Sequence, residues 1–542
     1  GLKCAVSSDA SELLGAGNFI MGNGWLDLGA YGHACGLATG AGASFRYRNC
    51  GSVIVNGGSA AQVTVGSSGN AAFVHEAKGS VLNFCSTSSA DSLDGSGATV
   101  TVAGTVETTK GGFLKLPIFA LTCAAEARYA FDFLRLDEKN RLVNAASLYK
   151  TVAEASDDGI VNVTDATTLA GNRTCGGLRV VSAALTIPAG TTLSFSDEDC
   201  PAAVLLGNRD AAGAIVGGGT LDFGAREGVV AVGLSGSDSY DLSGRIATKI
   251  GGTGGLTLAG NMRFGHSSIR LAASNDYAGG TWINAVEAGA EADGCLGRDD
   301  VYVGTGVGES GSLRLGNVTL ANALHVTGDG KLFGATAAEQ GVVHKNDAGV
   351  ATLTGAVELT GDRAVVRTTK ADAKIVFAGT VSGHALTVAG GARAAGEVRL
   401  TGANSYTGGT QVVGATLALG NLRALGTGAV TLTDGTLALE NGSDFTLANR
   451  VLGTGTVALR GKGRVTFDAV DSAASLTLHL GDARRVAVSS LKGFSAVTTA
   501  RTGNVTLWVT DDEEGSFAGS VPANVTVAYG EPRAPGLCII VK

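Results

Sequence analysis

The sequence predicts an all-β protein in which short strands stack on one another as a solenoid. Glycine is abundant, with 84 residues, whereas the chain has only 6 prolines and 2 methionines. Hydrophobic residues make up 44% of the chain and charged residues only 16%, which is unlike the composition of disordered chains. Turn and strand patterns also recur along the chain, so we expect each strand to pair with its copy in the next repeat.

The clearest repeat, at 403–420, reads as turn, strand, turn, strand, and 274–283 is an earlier copy. Both contain an Asn-x-Tyr-x-Gly-Gly-Thr corner followed by alternating apolar residues. Asparagine and paired glycines adopt the left-handed backbone that sharp corners need. The predicted corner residues are Asn275, Tyr277, Gly279, Gly280, Asn404, Tyr406, Gly408 and Gly409.

These segments resemble the autotransporter-associated β-strand repeat, also called the passenger-associated transport repeat, of bacterial surface and secreted proteins. Supporting segments are 217–224, 254–258 and 453–459, so the resemblance covers roughly residues 160–470. It implies a right-handed single-stranded parallel β-helix on a cell surface. It implies no catalytic residues, because the family motif is a structural corner.

We expect residues 1–120 to form cysteine-rich β-helix repeats, with strands around 53–55, 63–65, 81–84 and 99–102. Leu13, Leu14 and residues 19–21 are expected to cap the first repeat, because a bare end exposes unpaired strand edges.

Residues 121–158 lack this pattern of short strands and turns and are expected to be an irregular insertion. The stretch 129–136 alternates like a strand, and 137–140 is a charged turn from which 141–143 returns as a hairpin. Residues 145–155 are compatible with a short helix. We expect this insertion to be a plain excursion, with a partner site as the alternative.

Residues 159–470 are predicted to be the main β-helix. The similar segments 435–439 and 455–459 indicate one repeat in 20 residues. Strands stack about 4.8 Å apart, so about two dozen repeats would give a rod on the order of 100 Å long. The more acidic stretch 284–300 is expected to be a surface loop.

The C-terminal β region, 471–542, is expected to keep strands at 475–480, 505–509 and 525–529. Two prolines then precede an apolar strand that closes the last repeat or pairs with the edge of another copy. This candidate assembly strand consists of Leu537, Cys538, Ile539, Ile540 and Val541. The region is too short for the transmembrane barrel of the resembled family.

Nine cysteines lie at 4, 35, 50, 85, 123, 175, 200, 295 and 538, without a Cys-x-x-Cys pair. In an exported protein, disulfides between neighbouring repeats are expected. Cys175 and Cys200 are separated by about one repeat and are the candidate disulfide; the alternative is that cysteines fill small apolar core positions.

The formal net charge of −8 offers no basic face for nucleic acid, and no apolar run is long enough for a membrane helix. The chain begins at Gly1 without a signal segment, so we expect a mature extracellular or cell-surface chain whose export signal is gone. No cofactor or metal motif is found.

Catalytic patterns are also weak. The Gly-x-Gly-x-x-Gly match at 306–311 precedes a strand-like segment instead of a helix, and the seven histidines are scattered. Three pairs of acids are possible glycosidase carboxylates but are expected to cap corners: Asp197/Asp199, Asp299/Asp300 and Asp511/Asp512.

We therefore expect a protein that is not an enzyme, a rigid extracellular rod that serves as a surface stalk or self-assembling filament subunit. Its expected partners are copies of itself or other surface proteins. The first alternative is an adhesin or glycan-binding module in which Trp25, Trp282 and Tyr277 stack on sugars. The second is a polysaccharide-degrading β-helix enzyme.

Overall fold

A computed structural model describes most of the chain, in two compact units, Gly1–His344 and Lys345–Lys542. The boundary between them falls inside the predicted 159–470 domain. The described residues are 2–3, 17–21, 24–28, 34–48, 50–55, 62–86, 93, 99–122, 131–207, 213–233, 244–260, 267–304, 311–330, 341–392, 394–421, 423–440, 442–461, 463–468, 470 and 474–531.

The described residues form 51 β-strands and one short 3-10 helix, Ala146–Leu148, with no α-helix among them. Up to the unit boundary the strands are Leu2–Lys3, Phe19–Met21, Gly24–Asp27, Ala34–Leu37, Phe45–Tyr47, Cys50–Val55, Gln62–Val65, Phe73–His75, Val81–Ser86, Thr99–Val102, Ile118–Thr122, Phe131–Leu136, Leu142–Asn144, Tyr149–Lys150, Ile160–Val163, Thr167–Thr168, Arg173–Cys175, Gly177–Val180, Ala184–Thr186, Thr192–Phe195, Ala202–Leu206, Gly213–Val216, Thr220–Asp222, Gly228–Val232, Gly244–Ile246, Lys249–Gly251, Leu256–Ala259, Ser268–Leu271, Thr281–Asn284, Glu287–Ala290, Val301–Val303, Ser312–Leu315, Thr319–Leu320, Leu324–Gly328 and Val343–Lys345. The second unit contains Gly349–Leu353, Val357–Thr368, Ala373–Phe377, Val381–Gly390, Glu397–Leu400, Thr410–Val413, Thr416–Leu419, Val430–Leu439, Phe445–Leu447, Val451–Leu459, Val465–Phe467, Ser475–His479, Arg485–Val488, Phe494–Thr498, Val505–Val509 and Val525–Tyr529.

The N-terminal part of the first unit passes through three parallel sheets in a repeating order, and we call one such passage a cycle. The strands Phe45–Tyr47, Cys50–Val55 and Gln62–Val65 form one cycle, and their parallel partners in the next are Phe73–His75, Val81–Ser86 and Thr99–Val102. Alternate residues of these strands point inwards, where aromatic rings such as Phe45, Phe73 and Phe84 pack at centroid distances of 6.0 Å.

The chain reverses direction after Ile118–Thr122, which pairs in antiparallel fashion with Phe131–Leu136. A hairpin then joins Phe131–Leu136 to Leu142–Asn144. Its turn is fixed by Asp137, whose Oδ1 accepts the backbone N–H groups of Lys139 at 2.9 Å and Arg141 at 2.8 Å. The 121–158 stretch therefore includes a hairpin followed by the 3-10 helix.

From Ile160 onwards, a second set of parallel ladders fills the rest of the first unit, and one ladder runs from Ile160–Val163 to Leu324–Gly328. The N-terminal sheets pack against the side of this ladder. Ile54 and Val81 share one buried cluster with Val229 and Ala259. Small residues on the outward face of the ladder allow this close approach, so the two sets of sheets share a core.

The second unit repeats the parallel pattern. Gly435 lies opposite Gly455 and Leu437 opposite Val457, so the 20-residue repeat predicted from these segments is a direct strand pairing. Leu417 is the partner of Leu437 in the preceding cycle, and all three of these apolar side chains are buried. Parallel pairing in an all-β chain is thus confirmed.

One expected surface loop is wrong. Residues 284–300 include the buried strand Glu287–Ala290, because the small side chains of Ala288 and Ala290 pack inside the ladder. The predicted cap residues Leu13 and Leu14 and the candidate assembly strand Leu537, Cys538, Ile539, Ile540 and Val541 lie outside the described residues.

Candidate functional site

The corner asparagine of the first repeat copy bridges three cycles. Oδ1 of Asn275 accepts the backbone N–H of Ile250 at 2.8 Å, in the preceding cycle. Its Nδ2 donates to the carbonyl of Cys295 at 2.6 Å, in the following cycle. Asn275 is buried, so its side chain replaces water for two backbone groups that would otherwise lose their partners.

The corner tyrosine braces the same turn from inside. Tyr277 is 2% exposed, and its hydroxyl lies 2.7 Å from Oγ1 of Thr281. Since Thr281 donates its own proton to the carbonyl of Leu296 at 2.9 Å, Tyr277 is the donor to Thr281. Burial raises the pKa of Tyr277 well above its usual value, so the phenol stays neutral.

The second copy reproduces this arrangement in the second unit. Oδ1 of Asn404 accepts the backbone N–H of Val381 at 2.7 Å, and its Nδ2 donates to the carbonyl of Ala424. Tyr406 is fully buried, and its hydroxyl lies 2.8 Å from Oγ1 of Thr410. The two copies therefore use asparagine to join cycles and tyrosine to fill the corner.

The paired glycines serve two different needs. Gly279, Gly280 and Gly409 have φ values of 86°, 92° and 82°, which is the left-handed backbone that the sequence predicts. Gly408 and the corner asparagines Asn275 and Asn404 do not share it, and that part of the prediction is wrong. A Cβ at Gly408 would lie 2.7 Å from the backbone nitrogen of Ala385, so close approach of two cycles requires glycine there.

Sequence reasoning missed a second asparagine class. Nδ2 of Asn449 donates to the carbonyls of Gly426 and Gly428 in the preceding cycle, at 2.8 and 2.9 Å. Asn322 makes the same pair of bonds with the carbonyls of Gly297 and Asp299. Asn524 makes them with the carbonyls of Arg501 and Gly503. The recurring Leu-Ala-Asn triplets at 320–322 and 447–449 were the available signal.

The predicted Cys175–Cys200 disulfide is wrong, because both residues are thiols. Cys175 lies opposite Phe195 in the next strand, so Cys200 falls beyond the end of that pairing. Burial raises the pKa of each thiol to about 12, which keeps them protonated and unreactive near neutral pH. Both residues act as small apolar side chains.

A buried serine, histidine and glutamate meet in the first unit. Oγ of Ser312 donates to the carbonyl of Gly341 at 2.7 Å and lies 2.9 Å from Nδ1 of His344. Nε2 of His344 lies 3.2 Å from Oε2 of Glu287. Ser312 and His344 are fully buried, and Glu287 is 3% exposed. The Ser312 hydroxyl thus lies within hydrogen-bond distance of both the Gly341 carbonyl and the His344 ring.

A second buried carboxylate, Glu227, ties the N-terminal sheets to the second set of ladders. Its Oε1 accepts the backbone N–H of Gly79 at 2.8 Å and the hydroxyl of Thr257 at 2.5 Å. Its Oε2 lies 3.9 Å from Nε2 of His75. Burial lowers the pKa of His75 although the Glu227 carboxylate opposes this shift. We infer that Glu227 fixes the segment 75–79 in place.

Trp282 and Tyr277, two of the three candidate residues for stacking on sugars, have other contacts. Trp282 and Tyr302 stack at 5.4 Å with an 8° tilt, and His325 stacks on Tyr302 at 4.7 Å. Trp282 therefore has a ring face against Tyr302, while Tyr277 lies in the core. The side chain of Trp25 lies outside the described residues.

The paired acids cap turns. Oδ2 of Asp299 accepts the backbone N–H of Gly279 at 2.7 Å. Asp512 accepts the hydroxyl of Ser490 and the backbone N–H of Leu491, both at 2.7 Å. Oδ1 of Asp197 accepts the N–H of Asp199 at 3.4 Å. These contacts satisfy backbone groups at corners.

Within the described part of the chain, no group of three or more metal-ligating side chains occurs. No described helix has the length and apolar character needed to cross a membrane. The chain matches no protein-family model, no curated protein and no solved structure.

Proposed function

We propose that this protein is a noncatalytic extracellular structural protein, a rigid right-handed parallel β-helix that serves as a cell-surface stalk or filament subunit. The repeating order in which the chain visits its parallel sheets supports the β-helix. The two asparagine corners carry the functional proposal, because both use their polar groups to bond neighbouring cycles. Because the repeated motif forms hydrogen bonds between neighbouring cycles, it is suited to holding the β-helix rigid.

Burial of the polar clusters supports a structural role. Ser312 and His344 are fully buried, and Glu227 is 6% exposed. A nucleophile or general acid must reach its substrate, whereas these groups hydrogen-bond backbone and side chains from neighbouring cycles. Each cluster instead links segments far apart in sequence, as between Gly79 and Glu227.

Unpaired strand edges supply the proposed contact between copies or with other surface proteins. Among the described strands, Thr167–Thr168 and Arg173–Cys175 in the first unit each pair on one side only. In the second unit, Val525–Tyr529 pairs only with Val505–Val509. Such edges accept further strands, and the apolar segment 537–541 is the proposed donor.

Sedimentation velocity over a dilution series tests this proposal. The full chain is expected to form larger species as concentration rises, and deletion of residues 532–542 is expected to abolish them. Val521→Asp is the matched control, because Val521 is an exposed apolar residue of the same unit outside the tail. Self-association that persists after the deletion would refute the role of the tail, and a monomer at every concentration would refute self-assembly.

A further inference from the structure

A groove of about 680 Å³ lies in the second unit beside the strand Phe445–Leu447. Leu425 and Leu447 provide apolar floor, and the exposed Arg423 lies at its rim. No described residue that lines the groove is acidic. The groove thus combines an apolar floor with positive charge.

One wall of the groove is a free sheet edge. Phe445–Leu447 is the first strand of its five-stranded sheet and pairs only with Val465–Phe467 among the described strands. The N–H of Phe445 donates to Arg464, and the carbonyl of Leu447 accepts from Asp468, both on the paired side. Since backbone groups alternate along a strand, the N–H and C=O of Thr446 face the groove.

The first repeat copy shows what such an edge binds. Matching Asn322 to Asn449 places Thr319 at the position of Thr446, because both threonines precede their asparagine by three residues. The backbone N–H of Thr319 donates to Oδ1 of Asp293 at 2.7 Å. A carboxylate of the chain itself therefore occupies this edge position in the first copy.

The second copy lacks that carboxylate. Matching Tyr277 to Tyr406 places Leu422 at the position of Asp293 and Arg423 at the position of Gly294. The backbone confirms the second match, because the N–H groups of Asn275 and Asn404 donate to the carbonyls of Gly294 and Arg423, respectively. The second copy therefore has leucine where the first has aspartate, and arginine at the next position where the first has glycine.

We propose that this groove binds an extended peptide through an aspartate or glutamate side chain. The ligand carboxylate takes the place of the Asp293 carboxylate, accepts the N–H of Thr446 and pairs with Arg423. A peptide N–H donates to the carbonyl of Thr446, and an aliphatic side chain covers Leu425. The free edge favours a peptide over an acidic glycan, because a peptide offers a backbone N–H for the carbonyl of Thr446 beside the carboxylate that accepts its N–H.

Fluorescence anisotropy with a labelled, end-capped heptapeptide of sequence Ser-Val-Thr-Asp-Thr-Val-Ser tests the proposal on the full chain. The comparison peptide carries asparagine in place of aspartate, and a galacturonate trimer serves as the acidic glycan. We expect saturable binding of the aspartate peptide and about tenfold weaker binding of the asparagine peptide, because a charge-assisted bond is lost.

Two variants localise the site. Arg423→Ala should weaken the aspartate peptide about tenfold and leave the asparagine peptide nearly unchanged. Arg464→Ala is the matched control, because Arg464 pairs with Glu531 and does not line the groove. Unchanged melting temperatures verify folding.

Equal affinity for the two peptides, an Arg423→Ala variant that binds normally, or no saturable binding at millimolar peptide would overturn the proposal. Binding of the galacturonate trimer through Arg423, without binding of the peptide, would overturn the assignment of a peptide ligand. Because this site does not involve residues 532–542, its outcome is independent of the assembly experiment.

Discussion

Replacing Asn275 with alanine should destabilise the first unit strongly. The change removes two buried hydrogen bonds and leaves the N–H of Ile250 and the carbonyl of Cys295 without their partner. Each orphaned buried group costs about 1–3 kcal/mol, so the free energy of unfolding should fall by about 2–6 kcal/mol. Because Asn275 touches the cycles on both sides, the loss should not be confined to one turn.

The assay is guanidinium denaturation followed by circular dichroism, with the resolved transition assigned to the unit by limited proteolysis. Asn172→Ala is the matched control, since Asn172 makes one exposed contact with the N–H of Thr192 and should cost about 0.5–1 kcal/mol. A loss below about 1 kcal/mol for Asn275→Ala would refute the reasoning that this side chain replaces buried water.

Three further predictions concern buried groups. Cys175 and Cys200 should both be alkylated in denaturant without prior reduction, and mass spectrometry that finds them linked would contradict the thiol assignment. Gly426→Ala should lower the free energy of unfolding of the second unit by about 1–3 kcal/mol, because its Cβ would lie 1.9 Å from the carbonyl oxygen of Tyr406. Gly442→Ala is the control, since a Cβ there meets no atom within 4 Å. Equal stabilities of the two variants would refute this packing. Burial holds the pKa of His75 below its usual 6.5, so the unfolded state binds the proton first and the first unit should lose stability as pH falls below about 6.5. Melting temperatures measured between pH 5 and 7.5 check this. A dependence of the melting temperature on pH that His75→Asn leaves unchanged would contradict it.

The repeat pattern could be predicted because it is local. Tyr406 and its glycines lie within a few residues, and the matching segments 435–439 and 455–459 reveal the pairing of neighbouring cycles directly. Strands in the tail were equally visible, as for Val505–Val509 and Val525–Tyr529. The alternation of apolar and polar residues along the sequence is sufficient to predict such strands.

Contacts between distant segments were not predictable in the same way. Glu287, Ser312 and His344 are separated by long stretches, and no motif joins them. The packing of the N-terminal sheets on the second set of ladders depends on an outward row of small residues that also fits an exposed sheet. The disulfide prediction failed because the sequence does not show the register of the strands, which places Cys175 opposite Phe195 and leaves Cys200 beyond the end of that pairing.

The groove illustrates a third situation. The Leu-Ala-Asn triplet and the corner motif are both visible in the sequence, but their relation requires the structure. In the first copy, the backbone N–H of Thr319 donates to the Asp293 carboxylate. Only this contact reveals that the second copy supplies no matching carboxylate for the N–H of Thr446. A difference between two repeats becomes informative when the bond made by one of them is known.

Negative-stain electron microscopy of the purified chain over a concentration series tests the central functional claim most directly. The proposal predicts fibres with a regular axial repeat whose number and length grow with concentration. Separate particles of one size at every concentration would contradict self-assembly by this chain. Fibres that disappear on deletion of residues 532–542 would identify the tail as the contact between copies.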